Sequence, residues 1–383
     1  MAKINKDKLE KLKKIQWKEM FSAAVEKIRK KFASVYASGK RKLSDVRKFN
    51  WKSYSVASWQ KIKKFKIKKS WFYKFCKKVL KKLSDSWKIV LTIVPLFLIF
   101  YYGLGSKIVE NIDVKNEYKV DKADKVPLFK TAEGMAFLIK REVDDKMWTP
   151  NLPMIFPAYV LDNMPNFQIG VITAVKDIAG TLRYFKNNTE AQNKDIAEAY
   201  KLLNYPPNVW IMSRKGKFNL APSSNSQYRK AGNELRKFMR DGIYKPESDD
   251  LRLLLKKISG KLQKLTLDGE SYQRENLSKW YDGKADDIFY NHKGYAFALW
   301  QISKVLCRDY KEIIVENDLY EDWVRMSSSL QKAAEFSPLI IRNGKTDSTF
   351  TPNHILVQNY YLLRAISAAE KIRGNLSEAV NAD

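Results

Sequence analysis

The side chains of this chain with the most chemistry to offer are two histidines, His292 and His354, and three aspartates, Asp162, Asp286 and Asp287. Histidine titrates near neutral pH and a carboxylate can orient it, so His354 and Asp287 can be drawn as a base and its orienting acid, with Asp162 joining them after folding. The same residue types can be drawn as part of a metal site. Their spacing assembles neither arrangement. No H-E-x-x-H, G-x-S-x-G, phosphate-binding loop, glycine-rich dinucleotide loop or Cys/His zinc spacing occurs, so neither a metal nor a cofactor is expected. Asp286 and Asp287 are expected to open a helix, where capping and the helix dipole suffice to account for them. A second candidate is Leu-Asp-Asn-Met-Pro-Asn at 161–166, whose Asp and Asn beside proline favour a turn. Its functional reading is a loop presenting Asp162, Asn163 and Asn166 to a partner or a glycan, with Asn353 as a further binding candidate.

The elements around these residues are best read from charge. The chain carries a net +29, yet residues 1–88 hold 29 Lys/Arg against 6 Asp/Glu, and the other 295 residues hold 42 against 36. Basicity therefore belongs to a tail and not to the larger domain. Residues 89–106, IVLTIVPLFLIFYYGLGS, hold no charge between Lys88 and Lys107, which meets the length needed to cross a hydrocarbon core. Trp87 and Tyr101–Tyr102 suit its two interfaces, and Pro95 is tolerated better in a membrane helix than in a soluble one. A buried core helix is the competing reading of this run. Eleven lysines and no acid fill residues 61–82, whereas the residues after the span are balanced. The positive-inside rule then leaves the tail in the cytoplasm and sends the following domain across. With so long a basic lead, the segment reads as an uncleaved signal anchor.

Within the tail, Phe21, Val25, Ile28, Phe32 and Val35 keep helical spacing, as do Phe72, Cys76, Val79 and Leu83. Lys61, Lys63, Lys64, Lys66, Lys68, Lys69 and Trp71 lie between these stretches and suit an anionic lipid surface. Nucleic acid is the rival partner, through phosphate contact and base stacking. It ranks behind lipid, because the run abuts the bilayer and lysine outnumbers the arginine that would bind phosphate better. The two cysteines, Cys76 and Cys307, fall on opposite sides of the span and form no disulfide framework.

Beyond a polar connector at 107–127, residues 128–376 read as helices, followed by a short tail at 377–383; few segments alternate with period two, so the class is all-α. Helices are expected at 131–144, from Asn166 as a cap through Phe167, Val171, Ile172, Val175, Ile178, Leu182 and Phe185, at 189–203, at about 226–241 and 248–267, and from Asp286 through Tyr295, Leu299, Ile302 and Leu306. Asp318 with Glu321 reads as a capping box for a helix ending near Phe336. Pro352 and Gly374 bracket the last helix by the proline-in, glycine-out asymmetry.

Three ordered blocks carry a resemblance. Leu161–Phe167 with Gly170 and Arg183, Asp286–Tyr290 with Gly294 and Ala298–Leu299, and Phe336–Pro338 with Asn343–Gly344, Asn353–His354 and Asn359–Tyr360 are similar to an uncharacterised family of bacterial membrane-anchored proteins, DUF2333. The resemblance covers about 85–375 and implies the membrane-anchored layout without implying a mechanism. It includes His354 and not His292, and it leaves the basic tail outside.

The function expected from these readings is that of a single-pass inner-membrane protein, its N-terminus cytoplasmic and its helical domain periplasmic. That domain binds an envelope partner and is more readily a scaffold than an enzyme. The alternatives are an envelope hydrolase built on Asp287 and His354, and a tail that itself binds anionic lipid or nucleic acid.

Overall fold

The computed structural model describes residues 87–115, 118, 128–210, 221–240, 245–276, 282–345 and 352–382. The lysine-rich surface at 61–71 and the amphipathic stretches of the tail lie outside these residues. Helices make up almost everything described: α1 (Trp87–Val109), α2 (Lys130–Lys140), α3 (Asn163–Leu182), α4 (Glu190–Leu203), α5 (Ser224–Arg240), α6 (Ser248–Glu275), α7 (Gly283–Asp309), α8 (Lys311–Glu316), α9 (Tyr320–Glu335) and α10 (His354–Ala382). A π-helical turn, Arg141–Asp145, continues α2, and a 3-10 turn, Pro157–Val160, precedes α3. No strand occurs among the described residues, where the only pairing of this kind is an isolated bridge between Asn343 and Asn353. The chain is all-α.

Helices α3 and α7 form the most extensive pair and the centre of the fold. All seven apolar residues expected on the α3 face, from Phe167 to Phe185, are buried. So are Tyr295, Leu299, Ile302 and Leu306 of α7. That helix is buried on nearly every side from His292 to Ser303, as a helix enclosed by neighbours must be. On one flank α2 packs on α5 and α5 on α4; on the other, α6 and α9 both pack on α10.

Glycines set the distance between the central helices. A Cβ on Gly294 would stand 1.9 Å from the carbonyl oxygen of Phe167, and one on Gly170 would stand 2.1 Å from that of Asn291. The two backbones therefore touch, and no larger residue fits at either position. Contacts advance together along both helices, from Asn166–Asp287 to Asp177–Tyr295, so their N-termini lie at the same end.

Several helix ends differ from the sequence expectation. Asp162, not Asn166, caps α3, its carboxylate accepting the Asn163 N–H at 2.8 Å. Asn166 lies inside the first turn because the helix starts ahead of Pro165, a residue that a first turn accepts without losing a bond. Helix α7 is capped by Asp282, which accepts from Ala285 N at 3.2 Å, and this releases Asp286 and Asp287 from that duty. The expected box at Asp318 and Glu321 does not form: Leu319 is the N-cap, and Asp318 sits at φ 51° in the turn from α8. The last helix starts at His354 with Asn353 Oδ1 accepting from Leu356 N at 3.0 Å, and it runs past Gly374. At the start of α2 the cap comes from elsewhere: Asp309, at the far end of α7, accepts from Thr131 N at 2.7 Å and Lys130 N at 3.3 Å.

Helix α1 is the exception to this packing. Its window Thr92–Val109 is apolar and long enough to cross a membrane, and only 6% of it is buried. A core helix would be covered; Phe97, Ile99 and Phe100 are exposed here.

Gly294→Ala is expected to lower unfolding stability by about 3 kcal/mol or more, because backbone cannot yield as a flexible side chain can. Gly260→Ala, where nothing lies within 4 Å of the added methyl, should leave stability unchanged or raise it by up to ~1 kcal/mol. Thermal or denaturant unfolding of the two variants, compared with the parent chain, reads both.

Candidate functional site

The register of α3 on α7 brings two sequence candidates together. Asn166 Nδ2 donates to Asp287 Oδ1 at 2.6 Å and to the Asp162 carbonyl at 3.0 Å. In the orientation its neighbours require, the Asn163 amide donates to Asp286 Oδ2 at 2.9 Å. Asp162, Asn163, Asn166, Asp286 and Asp287 thus form one polar group across the paired N-termini. Glu110, just past α1, adds a fourth carboxylate to the same field.

These groups act on one another through their charges. Asp286 is pushed up to about 7, first by burial and then by Asp162, Asp287 and Glu110. Asp287 is raised by burial and Asp162, against the opposing hydrogen bond from Asn166. Beside them, burial and the same carboxylates push the Tyr290 phenol up to about 12. Like charges gathered at partial burial favour the neutral acid. The two helix N-termini act the other way and limit the cost. Such a group can hold a proton at neutral pH, accept hydrogen bonds from hydroxyl or amide ligands, or pair with a cationic one. Among the described residues no three His, Cys, Asp or Glu side chains are grouped to hold a metal ion.

His354 and Asn353 are held elsewhere. His354 Nδ1 accepts from Arg342 N at 3.0 Å, and its ring packs edge-on against Phe336. Burial, followed by the Arg342 charge, lowers its pKa; neither Asp287 nor Asp162 is among its partners. Asn353 donates to Asn343 Oδ1 at 2.9 Å and Gly344 O at 2.7 Å, which closes the turn ahead of α10. His292 is fully enclosed, and burial lowers it to about 4.

Most other residues of the three ordered blocks have structural tasks. Gly170 and Gly294 make the helix crossing. Arg183 lies over the Tyr200 ring at 4.7 Å. Asn343 donates to Asn276 O, and Asn359 to Thr266 O, both at 3.1 Å. Phe336 and Ser337 receive the buried Lys293 ammonium at 2.7 and 2.5 Å. The group around Asp162 and Asp286 brings several partly exposed polar side chains of two of these blocks together. Sequence reasoning had treated Asp286 as a cap and passed over Glu110 and Tyr290; the i, i+1 acidic pair one turn inside a helix start was the available signal.

The matched residues decide the family. The chain belongs to the DUF2333 family, described as uncharacterized proteins conserved in bacteria; its family model matches residues 91–265 and 247–379. Comparison with curated proteins and with solved structures gave no match. The DUF2333 match begins inside α1 and includes every residue of the candidate group, while the basic tail lies outside it.

Because Asp286 has its pKa raised on folding, its ionisation opposes the folded state. The stability it permits is greatest below its ordinary value of 3.8 and declines as pH rises through about 7. Asp286→Asn should therefore be more stable than the parent at about pH 8, by on the order of 1–2 kcal/mol after solvent screening. That advantage should vanish near pH 4, and the difference in thermal unfolding between the two proteins across pH measures it.

Proposed function

We propose that this protein is a single-pass inner-membrane protein whose helical domain stands on the periplasmic face and binds an envelope component through the group around Asp162 and Asp286. The observation that carries this reading is the bare apolar surface of α1. Fully exposing residues such as Phe97 and Ile99 to water would forfeit about 1.5–3 kcal/mol for each such side chain, whereas lipid accepts them. The lysine-rich run before the helix supports the cytoplasmic side for the tail, where it can also contact anionic headgroups.

The site supports a binding or scaffold role. Its carboxylates and amides are partly exposed, they lie where α1 ends, and His354 stands apart from them. An envelope ligand rich in hydroxyl, amide or ammonium groups suits that chemistry.

Topology is checked with Tyr36→Cys and Asp383→Cys, each in a chain carrying Cys76→Ala and Cys307→Ala, in intact bacterial cells. Asp383→Cys should react with an impermeant thiol reagent and Tyr36→Cys should not; labelling of neither would put both ends inside and make nucleic acid the partner to pursue for the tail. The binding role is checked by placing a photo-crosslinking residue at Asn163 in the same cells. A reproducible adduct with one envelope component is expected, and adducts no stronger than those from an exposed site on α8 would remove the binding-module reading.

A further inference from the structure

Residues 147–161, between the π-helical turn and α3, form an uncharged run bounded by Lys146 and Asp162. Its apolar side chains are not all turned inward: Met154 is 62% exposed, Ile155 69%, Tyr159 54% and Val160 53%. Single exposed apolar residues are ordinary, but a contiguous set on one loop marks a surface that something covers.

The place of this loop on α1 identifies the cover. Tyr102 Oη donates to the Met154 carbonyl at 2.5 Å and Tyr101 Oη to that of Ile155 at 2.6 Å. Pro157 lies so close to Gly105 that a Cβ there would come within 2.6 Å of its ring. The first charge after the apolar run is Lys107, about 9 Å further along the axis than Tyr101 at ~1.5 Å per residue. Helix side chains also tilt toward the N-terminus, so the two tyrosine contacts sit no nearer to the charged end than the tyrosines themselves, and the Pro157 contact at Gly105 still precedes Lys107. The loop therefore lies on the apolar side of the point where α1 regains charge.

A segment at that depth must satisfy its own backbone, since lipid offers no partners. This one largely does. Phe156 N donates to Pro153 O at 3.0 Å, Tyr159 N to Phe156 O at 3.0 Å and Leu161 N to Ala158 O at 3.1 Å. The two tyrosine hydroxyls take the Met154 and Ile155 carbonyls, and Pro153 and Pro157 have no N–H to satisfy.

We propose that residues 153–160 are a second membrane contact of the outer domain: an apolar wedge seated at the headgroup–acyl boundary of the leaflet from which α1 emerges. The inference rests on α1 crossing that bilayer. With α1 as one attachment and the wedge as another, the domain has a set orientation on the membrane, and the Asp162 group, which begins immediately after the wedge, is held at the bilayer surface.

The test uses the full chain with Cys76→Ala and Cys307→Ala, reconstituted in phosphatidylethanolamine–phosphatidylglycerol vesicles. Single cysteines at Ile155, Val160, Phe97 and Glu316 carry an environment-sensitive fluorophore; Glu316, on α8 at the far end of α7, is the aqueous reference. Nitroxide-labelled lipid and aqueous iodide serve as quenchers. Labels at Ile155 and Val160 are expected to be blue-shifted and to lose fluorescence to nitroxide lipid as the Phe97 label does, while Glu316 loses it only to iodide. Quenching at Phe97 by lipid but at Ile155 and Val160 only by iodide overturns the wedge and leaves the anchor standing. Shielding of Ile155 and Val160 from both quenchers also overturns it, in favour of a protein contact such as a second copy. Loss at Phe97 to iodide alone removes the anchor and the wedge together.

Discussion

Where α3 and α7 cross, backbone lies against backbone, and the rest of the domain is arranged around that contact. Ordinary helix pairs are separated by interdigitating side chains at 8–10 Å. Here Gly170 and Gly294 remove the spacer, each facing a carbonyl of the other helix. Close approach permits one register only, because a shift along the axis would set a side chain where a carbonyl now sits. That register places Asn166 on Asp287 at one end and Tyr295 on Asp177 further along. Both N-termini then converge, and with them the side chains of the candidate site.

A second constraint joins the domain to the helix that leaves it. In the described residues just after α1, Ile112 and Val114 pack against the core, and the backbone is held as well. Lys146 Nζ donates to Asn111 O at 3.0 Å and to Asp113 O at 3.1 Å, and Arg141 donates to the same Asp113 carbonyl. Arg141 is buried with Glu142 in the π-helical turn, its guanidinium 4.4 Å from the centre of the Phe297 ring. Burial lowers Arg141 and raises Glu142, each opposed by the other's charge. A pair of this kind contributes little net stability, but removing one partner strands the other. Its evident use is geometric: it captures connector carbonyls and fixes where α1 departs. The π-turn supplies the extra residue that lets Arg141 and Lys146 point the same way.

These two constraints meet at the polar group. The crossing supplies Asp162, Asn163, Asn166, Asp286 and Asp287, and the fixed departure of α1 brings Glu110 into their field. Carboxylates accumulate there at a cost that the asparagine amides and the helix N-termini offset in part. Other buried carboxylates, such as Asp177 and Asp322, are paired with the ammonium groups of Lys261 and Lys371.

The amino-acid sequence by itself determined the helical class, the apolar face of α3, the apolar run of α1 and the concentration of basic charge in residues 1–88. Each of these follows from local periodicity or composition, which a single chain segment carries within itself. Helix ends were less legible: Asn166, Asp286 and Asp318 are all plausible caps by residue type, and competition from Asp162, Asp282 and Leu319 is settled by where packing starts the helix. Only the tertiary structure decided which polar residues share a site. Asp287 keeps company with Asn166 and not with His354, because the glycine crossing fixes the register of two helices far apart in sequence, and no local signal encodes a register. The same holds for the loop at 153–160, whose prolines mark a turn in any sequence; its place beside Tyr101 and Tyr102 exists only once the domain has folded against the end of α1.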